Sequence, residues 1–320
     1  MQAIQMIATG SVDVLQIAEI AEPVPAAGQV KVQIRAAGVN PVDAKLRNRG
    51  MLFPDALPAI PGCDGAGIVT ACGSGVTIFK PGDAVWYCNG GLGREPGNYA
   101  EFALVDEKIA RRKPAAMSFN EAAAAPLVLI TAWEALFDRG KLQPGHTVLI
   151  HAGAGGVGHV AVQLARHAGA TVIATVGNPE NENFVRQLGA DEIINYKQKD
   201  FVAEVLRLTG DKGADVVFDC VGGETFRRSI PVVACYGKLI TLLDPGNDVA
   251  WKEARERNLS IGFVLMLTPM IKDLPQARMH QGKILDQCAQ LIETGKLRIH
   301  VSRVFALRDA AQAHRLVETG

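Results

Sequence analysis

A chain of 320 residues, 48% hydrophobic and 21% charged, has a globular composition and enough length for about two domains. Lys and Arg total 33 and Asp and Glu total 33, a balance that leaves no electrostatic footprint for nucleic acid or an anionic membrane surface. No apolar run has the length of a bilayer span and residues 1–10 lack a secretory signal pattern. The six cysteines are scattered without a C-x-x-C pair, so a reducing, cytoplasmic setting is expected.

Residues 1 to about 120 read as mostly β. The stretch 28–35 alternates polar and apolar residues with period two, the pattern of a half-buried strand, and the alternation breaks at AAGVNP (36–41). One or two helical turns are expected over 43–49. Pro54, Pro58, Pro61 and Gly62 then make an irregular loop before strands over 66–71 and 84–87. Residues 88–98, rich in glycine, form a loop, and 100–105 is again β. Many short strands punctuated by Pro and Gly indicate a small barrel-like fold.

The character changes near Ser118, which with Glu121 makes an N-capping pair; a second helix is expected over 127–137. From Thr147 strands and helices alternate: strands at 147–151, 171–176, 193–196, 215–220, 237–243 and 259–264, and helices at 157–168, 179–188 and 199–208. Six strands with intervening helices predict an α/β, doubly wound parallel sheet of the Rossmann kind. After Leu265 come a long helix (277–292), a strand-like stretch (299–305) and a last helix (307–316). The layout is discontinuous: a β-rich domain (1–121), an inserted nucleotide-binding domain (122–265), and a return to the first domain (266–320).

The sharpest motif is HAGAGGVGHV (151–160). Gly153, Gly155 and Gly158 take the G-x-G-x-x-G spacing between a strand and a helix. The first glycine permits a tight turn, the second a close approach of a pyrophosphate, and the third close helix–strand packing. The loop Gly153-Ala154-Gly155-Gly156-Val157-Gly158 would then offer unpaired N–H groups to phosphate oxygens. Strand 171–176 leads into Gly177-Asn178 without the carboxylate that would bind an adenosine ribose 2′-OH, so a 2′-phosphate is not repelled.

The stretches AAGVNPVDAKLR (36–47), PAIPGCDGAGIV (58–69), HAGAGGVGHVAVQLA (151–165), LGADEIINY (188–196) and GADVVFDCVGG (213–223) together resemble the zinc-free medium-chain dehydrogenase/reductases of the quinone oxidoreductase type, across both domains and in the family's order. Family chains usually continue past AHRLVETG into a final strand, and this sequence stops at Gly320. The resemblance implies a GroES-like first domain, NADPH as cofactor, and a conjugated carbonyl acceptor: a quinone or an α,β-unsaturated aldehyde or ketone. It places Thr175, Gly177 and Tyr196 near the adenosine ribose. Asn181 stands where the family often carries a Lys, leaving Arg186 or Lys197 to meet the 2′-phosphate, or to be plain solvated charges.

Zinc members of the superfamily need a tetrahedral donor set with an open position. By resemblance those positions fall at Asn40, Cys63 and near Leu127, and no metal is expected; Cys63 with Asp64 reads as a packed loop or as a weak ion site. With hydride supplied by the cofactor, Asn40 is the first candidate to orient ring and acceptor, since an amide donates and accepts at once; the alternative is an Asn capping a turn. Asp43 and Lys45 come next. The Lys45 ammonium could stabilise charge on the acceptor, or be a solvated charge paired with Asp43. Thr131 resembles a nicotinamide-contacting residue or is a back-bonded helix hydroxyl. Leu243, Phe263 and Leu265 end the last two sheet strands, as ligand contacts or as core. Trp133 reads as core, and His151 has no nameable relay partner.

Three functional readings stand at this point: an NADPH-dependent quinone or enone reductase, a non-enzymatic NADPH-binding structural or regulatory protein, and a zinc alcohol dehydrogenase. The reductase leads. A homodimer paired through the apolar edge 259–264 is expected, as is usual in the family.

Overall fold

The computed structural model describes residues 1–53 and 56–319; Pro54, one of the expected loop prolines, and Gly320 lie outside that range. The chain divides into two compact units. One comprises residues 1–127, 267–295 and 299 onward, the other 128–266 with 296–298. Helix 119–124 falls in the first unit, not astride a division after residue 121.

The first unit opens with β1 (Gln2–Met6) and β2 (Leu15–Glu19), an antiparallel pair not anticipated from sequence. Its main sheet is antiparallel throughout. It joins β3 (Gln29–Ala37), β4 (Asp64–Cys72), β5 (Ala84–Cys88), β6 (Phe102–Asp106) and β7 (Arg111–Arg112) in the order β6-β3-β4-β5-β7. Val30, Val32, Val69, Phe79, Val85, Tyr87 and Val105 close its core, Val30 and Val32 being inward members of the alternation predicted over 28–35. Between β3 and β4, α1 (Pro41–Arg49) starts two residues earlier than expected. Pro41 sits at its first position, where a missing N–H costs nothing and the fixed φ suits the helix.

The Ser118 cap forms as predicted at the head of α2 (Phe119–Ala124): the Glu121 N–H donates to Ser118 Oγ at 3.3 Å and the Ser118 N–H to Glu121 Oε2 at 2.8 Å. The single helix expected over 127–137 is instead α3 (Pro126–Trp133) running into a π-helical stretch, Glu134–Arg139. Trp133, half-buried, packs on Phe137 with ring centroids 4.6 Å apart.

The second unit is a parallel, doubly wound sheet. Its strands are β8 (Thr147–Ile150), β9 (Thr171–Val176), β10 (Glu192–Asn195), β11 (Ala214–Asp219), β12 (Val233–Thr241) and β13 (Ser260–Phe263), in the order β10-β9-β8-β11-β12-β13. Helices α4 (Gly156–His167), α5 (Pro179–Gln187), α6 (Phe201–Thr209), α7 (Gly223–Ser229) and α8 (Trp251–Glu256) connect them. Val148, Leu149 and Ile150 of β8 have no exposed surface, as expected of a central strand covered on both faces. The strand order reverses beside β8, so the loop after it stands where ligands meet such sheets.

The return segment contributes α9 (Thr268–Ile271), α10 (Pro275–Glu293) and α11 (Ala310–Thr319). The strand expected over 299–305 does not form; the stretch is irregular and Val304 is exposed. Just before it, the Gln163 side-chain amide donates to Arg298 O and accepts from Arg298 N, both at 2.9 Å. A helix side chain thus satisfies backbone groups that a neighbouring strand would otherwise claim. No helix among the described residues is long and apolar enough to cross a membrane.

Candidate functional site

In the first unit, β3 runs out at Ala37 and delivers Asn40 as the N-cap of α1. Asn40 is buried between two carboxyl groups. Its backbone N–H donates to Asp43 Oδ2 at 2.8 Å, and its side-chain Nδ2 donates to Asp64 Oδ2 at 2.9 Å. The other Asp64 oxygen accepts the Leu127 N–H at 3.0 Å, in the first turn of α3. Asp43 Oδ2 also accepts from the Tyr99 hydroxyl at 3.3 Å, and His314 Nε2 lies 3.2 Å from that hydroxyl. Since the phenol donates its one hydrogen to Asp43, His314 must donate from Nε2, which leaves its Nδ1 bare; that atom is buried without a partner, as is Asp43 Oδ1.

Burial governs the protonation of this cluster. It raises Asp43 from 3.8 to about 6, opposed by the hydrogen bonds from Asn40 and Tyr99, and raises Asp64 from 3.8 to about 7, opposed by Asn40 and reinforced by the charge of Asp43. Burial, then Asp43, pushes the Cys63 thiol up, and burial lowers His314 to about 4. Lys45 stands apart. Two positions on from the buried Asp43, it falls on the opposite, exposed side of α1. The pairing of Lys45 with Asp43 considered from sequence is therefore replaced by the Asp43–Tyr99 contact.

In the second unit the chain leaves β8 at His151, turns through Ala152 at φ 52°, and enters α4 at Gly156, one residue earlier than expected. The left-handed residue is thus Ala152, not the first glycine. Of the three motif glycines Gly158 has the least room: a Cβ there would lie 2.1 Å from the Ala152 carbonyl oxygen and 2.9 Å from Gly153 Cα, which only glycine tolerates. Gly155 and Gly156 are exposed at the head of the twelve-residue α4, with Ala154 and Val157 half-buried beside them. The first-turn N–H groups there have no intrahelical acceptor.

His151 does have partners. Ser229 Oγ donates to Thr225 O at 2.7 Å, so it accepts from His151 Nε2 at 2.9 Å; His151 Nδ1 then accepts from Thr175 Oγ1 at 3.1 Å, which itself takes the Ala152 N–H at 3.3 Å. Burial holds His151 near pKa 4, opposed by the charge of Asp219, so the ring is neutral and its tautomer fixed. The Thr175 hydroxyl, placed near the ribose from sequence, is buried and committed to this network. Gly177 and Tyr196 do come together: a Cβ on Gly177 would lie 2.7 Å from Tyr196 Oη, and the ring is exposed. Arg186 sits in the last turn of α5, away from the end that follows β9, whereas Lys197 adjoins Tyr196. Thr131 is buried on α3 and Leu243 half-buried. Phe263 and Leu265 are 57% and 56% exposed, which rules out their reading as core.

Residues 26–115 match the alcohol dehydrogenase GroES-like domain family and residues 188–320 the zinc-binding dehydrogenase family. The quinone oxidoreductase of Pseudomonas aeruginosa is 35% identical over 97% of this chain and 94% of its own. The chain belongs to the medium-chain dehydrogenase/reductases of the quinone oxidoreductase type. Among solved structures, an alcohol dehydrogenase superfamily protein from Novosphingobium aromaticivorans is 36% identical with a TM-score of 0.92, covering 100% of this chain and 95% of its own. The Escherichia coli quinone oxidoreductase, solved in complex with NADPH, is 30% identical with a TM-score of 0.88, covering 100% and 97%.

Membership makes the chain an oxidoreductase and raises the question of zinc. At the positions that resemblance aligns with zinc ligands, the Asn40 amide is hydrogen-bonded to Asp64, the Cys63 thiol is held protonated by burial, and Leu127 offers only a backbone N–H. Among the described residues no three His, Cys, Asp or Glu side chains are grouped to hold a metal ion. This donor set does not fit a tetrahedral zinc. Asp64, Tyr99, His314 and Ser229 escaped assignment to the site from sequence. Only Asp64 carried a signal, as a carboxylate in the PGCDG turn.

Proposed function

We propose that this chain is an NADPH-dependent, metal-independent reductase that delivers hydride to a conjugated carbonyl, either a quinone or an α,β-unsaturated aldehyde or ketone. The observation that carries the reading is the buried Asn40 amide. One Nδ2 hydrogen is spent on Asp64, and the other is left to donate to a carbonyl oxygen as negative charge builds there.

The second unit fits a dinucleotide. Gly158 leaves no room for a side chain between loop and helix, the exposed Gly155–Gly156 backbone heads α4, and Tyr196 with Gly177 forms a platform after β9 and β10. Gly153 to Gly158 would hold the pyrophosphate and Gly177 with Tyr196 the adenosine ribose. Lys197 is better placed than Arg186 to meet a 2′-phosphate. Thr131, Leu243, Phe263 and Leu265 would contact the nicotinamide half. Thr175 acts through His151, holding the loop, instead of touching the ribose. When bound, the reduced nicotinamide supplies the hydride. Asp43 holds the backbone of Asn40, and Lys45, exposed on α1, adds a solvent-screened positive charge.

A homodimer through the unpaired edge of β13 follows the same reading, with Phe263 and Leu265 exposed at its end. Light scattering should give twice the chain's mass. Six free cysteines suit a reducing, cytoplasmic setting. The test of function is loss of 340 nm absorbance with a panel of quinones and enones, offered NADPH or NADH, with and without chelator. Chelator-insensitive turnover with NADPH is expected. Nucleotide binding without turnover of any acceptor would favour the binding-protein reading, and loss of activity with chelator would restore a zinc enzyme.

A further inference from the structure

The partner of Asn40 is a carboxyl group that nothing yet assigns to the reaction. Asp64 is the first residue of β4 and its backbone is doubly fixed: it pairs with Cys88 of β5, and its carbonyl accepts the Gly38 N–H at 3.1 Å. Gly38 presses on it closely enough that a Cβ would fall 2.9 Å from Asp64 Cβ and 2.4 Å from Ala123 O. The side chain is fully buried, with one oxygen on Leu127 N–H and the other on Asn40 Nδ2. An amide can turn end for end, exchanging donor for acceptor at nearly the same shape. With both Asp64 oxygens placed to accept, one from Leu127 N–H and the other from Asn40 Nδ2, the carboxyl group stabilises one of the two orientations.

We propose that Asp64 is a positioning residue that sets the orientation of the Asn40 amide, so that an N–H donor and not a carbonyl oxygen is presented to the substrate carbonyl. The inference rests on the proposed role of Asn40. It also gives a use to a carboxyl group buried beside a second one, whose burial cost the directed hydrogen bonds accepted at both oxygens offset only in part. Asp64→Asn separates orientation from packing. The new side chain keeps its shape and can still accept from Leu127 N–H, but it then offers an NH2 group to Asn40, which must turn over to accept from it.

The experiment compares wild type, Asn40→Ala, Asp64→Asn and the double variant, with NADPH and 1,4-benzoquinone, alongside melting temperature and the NADPH dissociation constant from fluorescence quenching. Asp64→Asn should lower kcat about 100-fold, the size of a lost oxyanion donor. KM for the quinone and NADPH affinity should stay within about threefold, and in the Asn40→Ala background Asp64→Asn should add less than about twofold. Wild-type kcat in Asp64→Asn beside a crippled Asn40→Ala, or independent effects that multiply, would overturn the inference alone. Unimpaired Asn40→Ala, or no turnover by wild type, would overturn the role of Asn40 first and this inference with it. Should Asp64→Asn fail to fold, the wild-type Asn40 side-chain NH2 signals, assigned by their loss in Asn40→Ala, provide a second readout. A single exchange-protected pair is expected, and a rotationally averaged pair would overturn the proposal.

Discussion

Around His151 every hydroxyl and ring nitrogen meets a partner of the opposite kind, whereas around Asn40 two carboxyl groups are buried among neutral donors and two polar atoms, Asp43 Oδ1 and His314 Nδ1, have no partner. The first arrangement holds a backbone loop still and has no reason to change protonation near neutral pH. The second keeps groups whose charge state is finely balanced next to a polarising amide. On the proposed reading the contrast separates two tasks within one chain: holding a nucleotide would need satisfied, rigid backbone geometry, and handling developing charge would tolerate strain in the electrostatics.

The comparison breaks most severely at Gly158. Gly158→Val forces a side chain into the 2.1 Å gap beside the Ala152 carbonyl; it should destabilise the second unit by about 3 kcal/mol and weaken NADPH binding at least about 100-fold, measured by thermal melting and fluorescence titration. Asn40→Ala should do the reverse, lowering kcat about 100-fold in steady-state assays with little change in NADPH affinity. His151→Phe keeps the ring's bulk but leaves the Thr175 hydroxyl hydrogen without its acceptor and removes the donor to Ser229 Oγ, at a cost of about 2 kcal/mol in denaturant unfolding.

The two networks should also answer pH with opposite signs. The folded-state values of Asp43 (about 6) and Asp64 (about 7) lie above the ordinary 3.8, so their contribution to stability is complete below about pH 4 and is lost as pH rises through 6 and 7. His151 lies near 4 instead of 6.5, so its contribution is present above pH 6.5 and is lost as pH falls towards 4. Melting curves from pH 4.5 to 8 should show Asp64→Asn gaining on wild type as pH rises, and His151→Phe gaining on it as pH falls. The smallest effect is expected at Lys45: Lys45→Ala should change kcat by less than about fivefold, because an exposed ammonium is screened by water and salt.

The second unit was legible because its instructions are local. Strand, three spaced glycines and helix lie within one run, and the wide burial of β8 follows from its continuous apolar sequence. The candidate site in the first unit is assembled from Asn40, Asp64, Tyr99, Leu127 and His314, which no short window contains; Asn40 stands out from sequence at the strand end before Pro41, but the pinning of its amide does not. Local reading failed in another way at 299–305, where alternating residues resemble a strand and no neighbouring strand pairs with them. Thr175 shows the remaining limit: from sequence it is a ribose contact, but the buried His151 ring claims its hydroxyl.

The central claim is hydride delivery to a conjugated carbonyl without a metal. Stopped-flow mixing of chelator-treated protein and NADPH deuterated at the transferring C4 position with 1,4-benzoquinone tests it directly. Acceptor-dependent loss of 340 nm absorbance is expected, slowed by deuterium at C4 and unchanged when zinc is added back. Nucleotide that binds but is never oxidised by any quinone or enone, or activity that returns only with zinc, would contradict it.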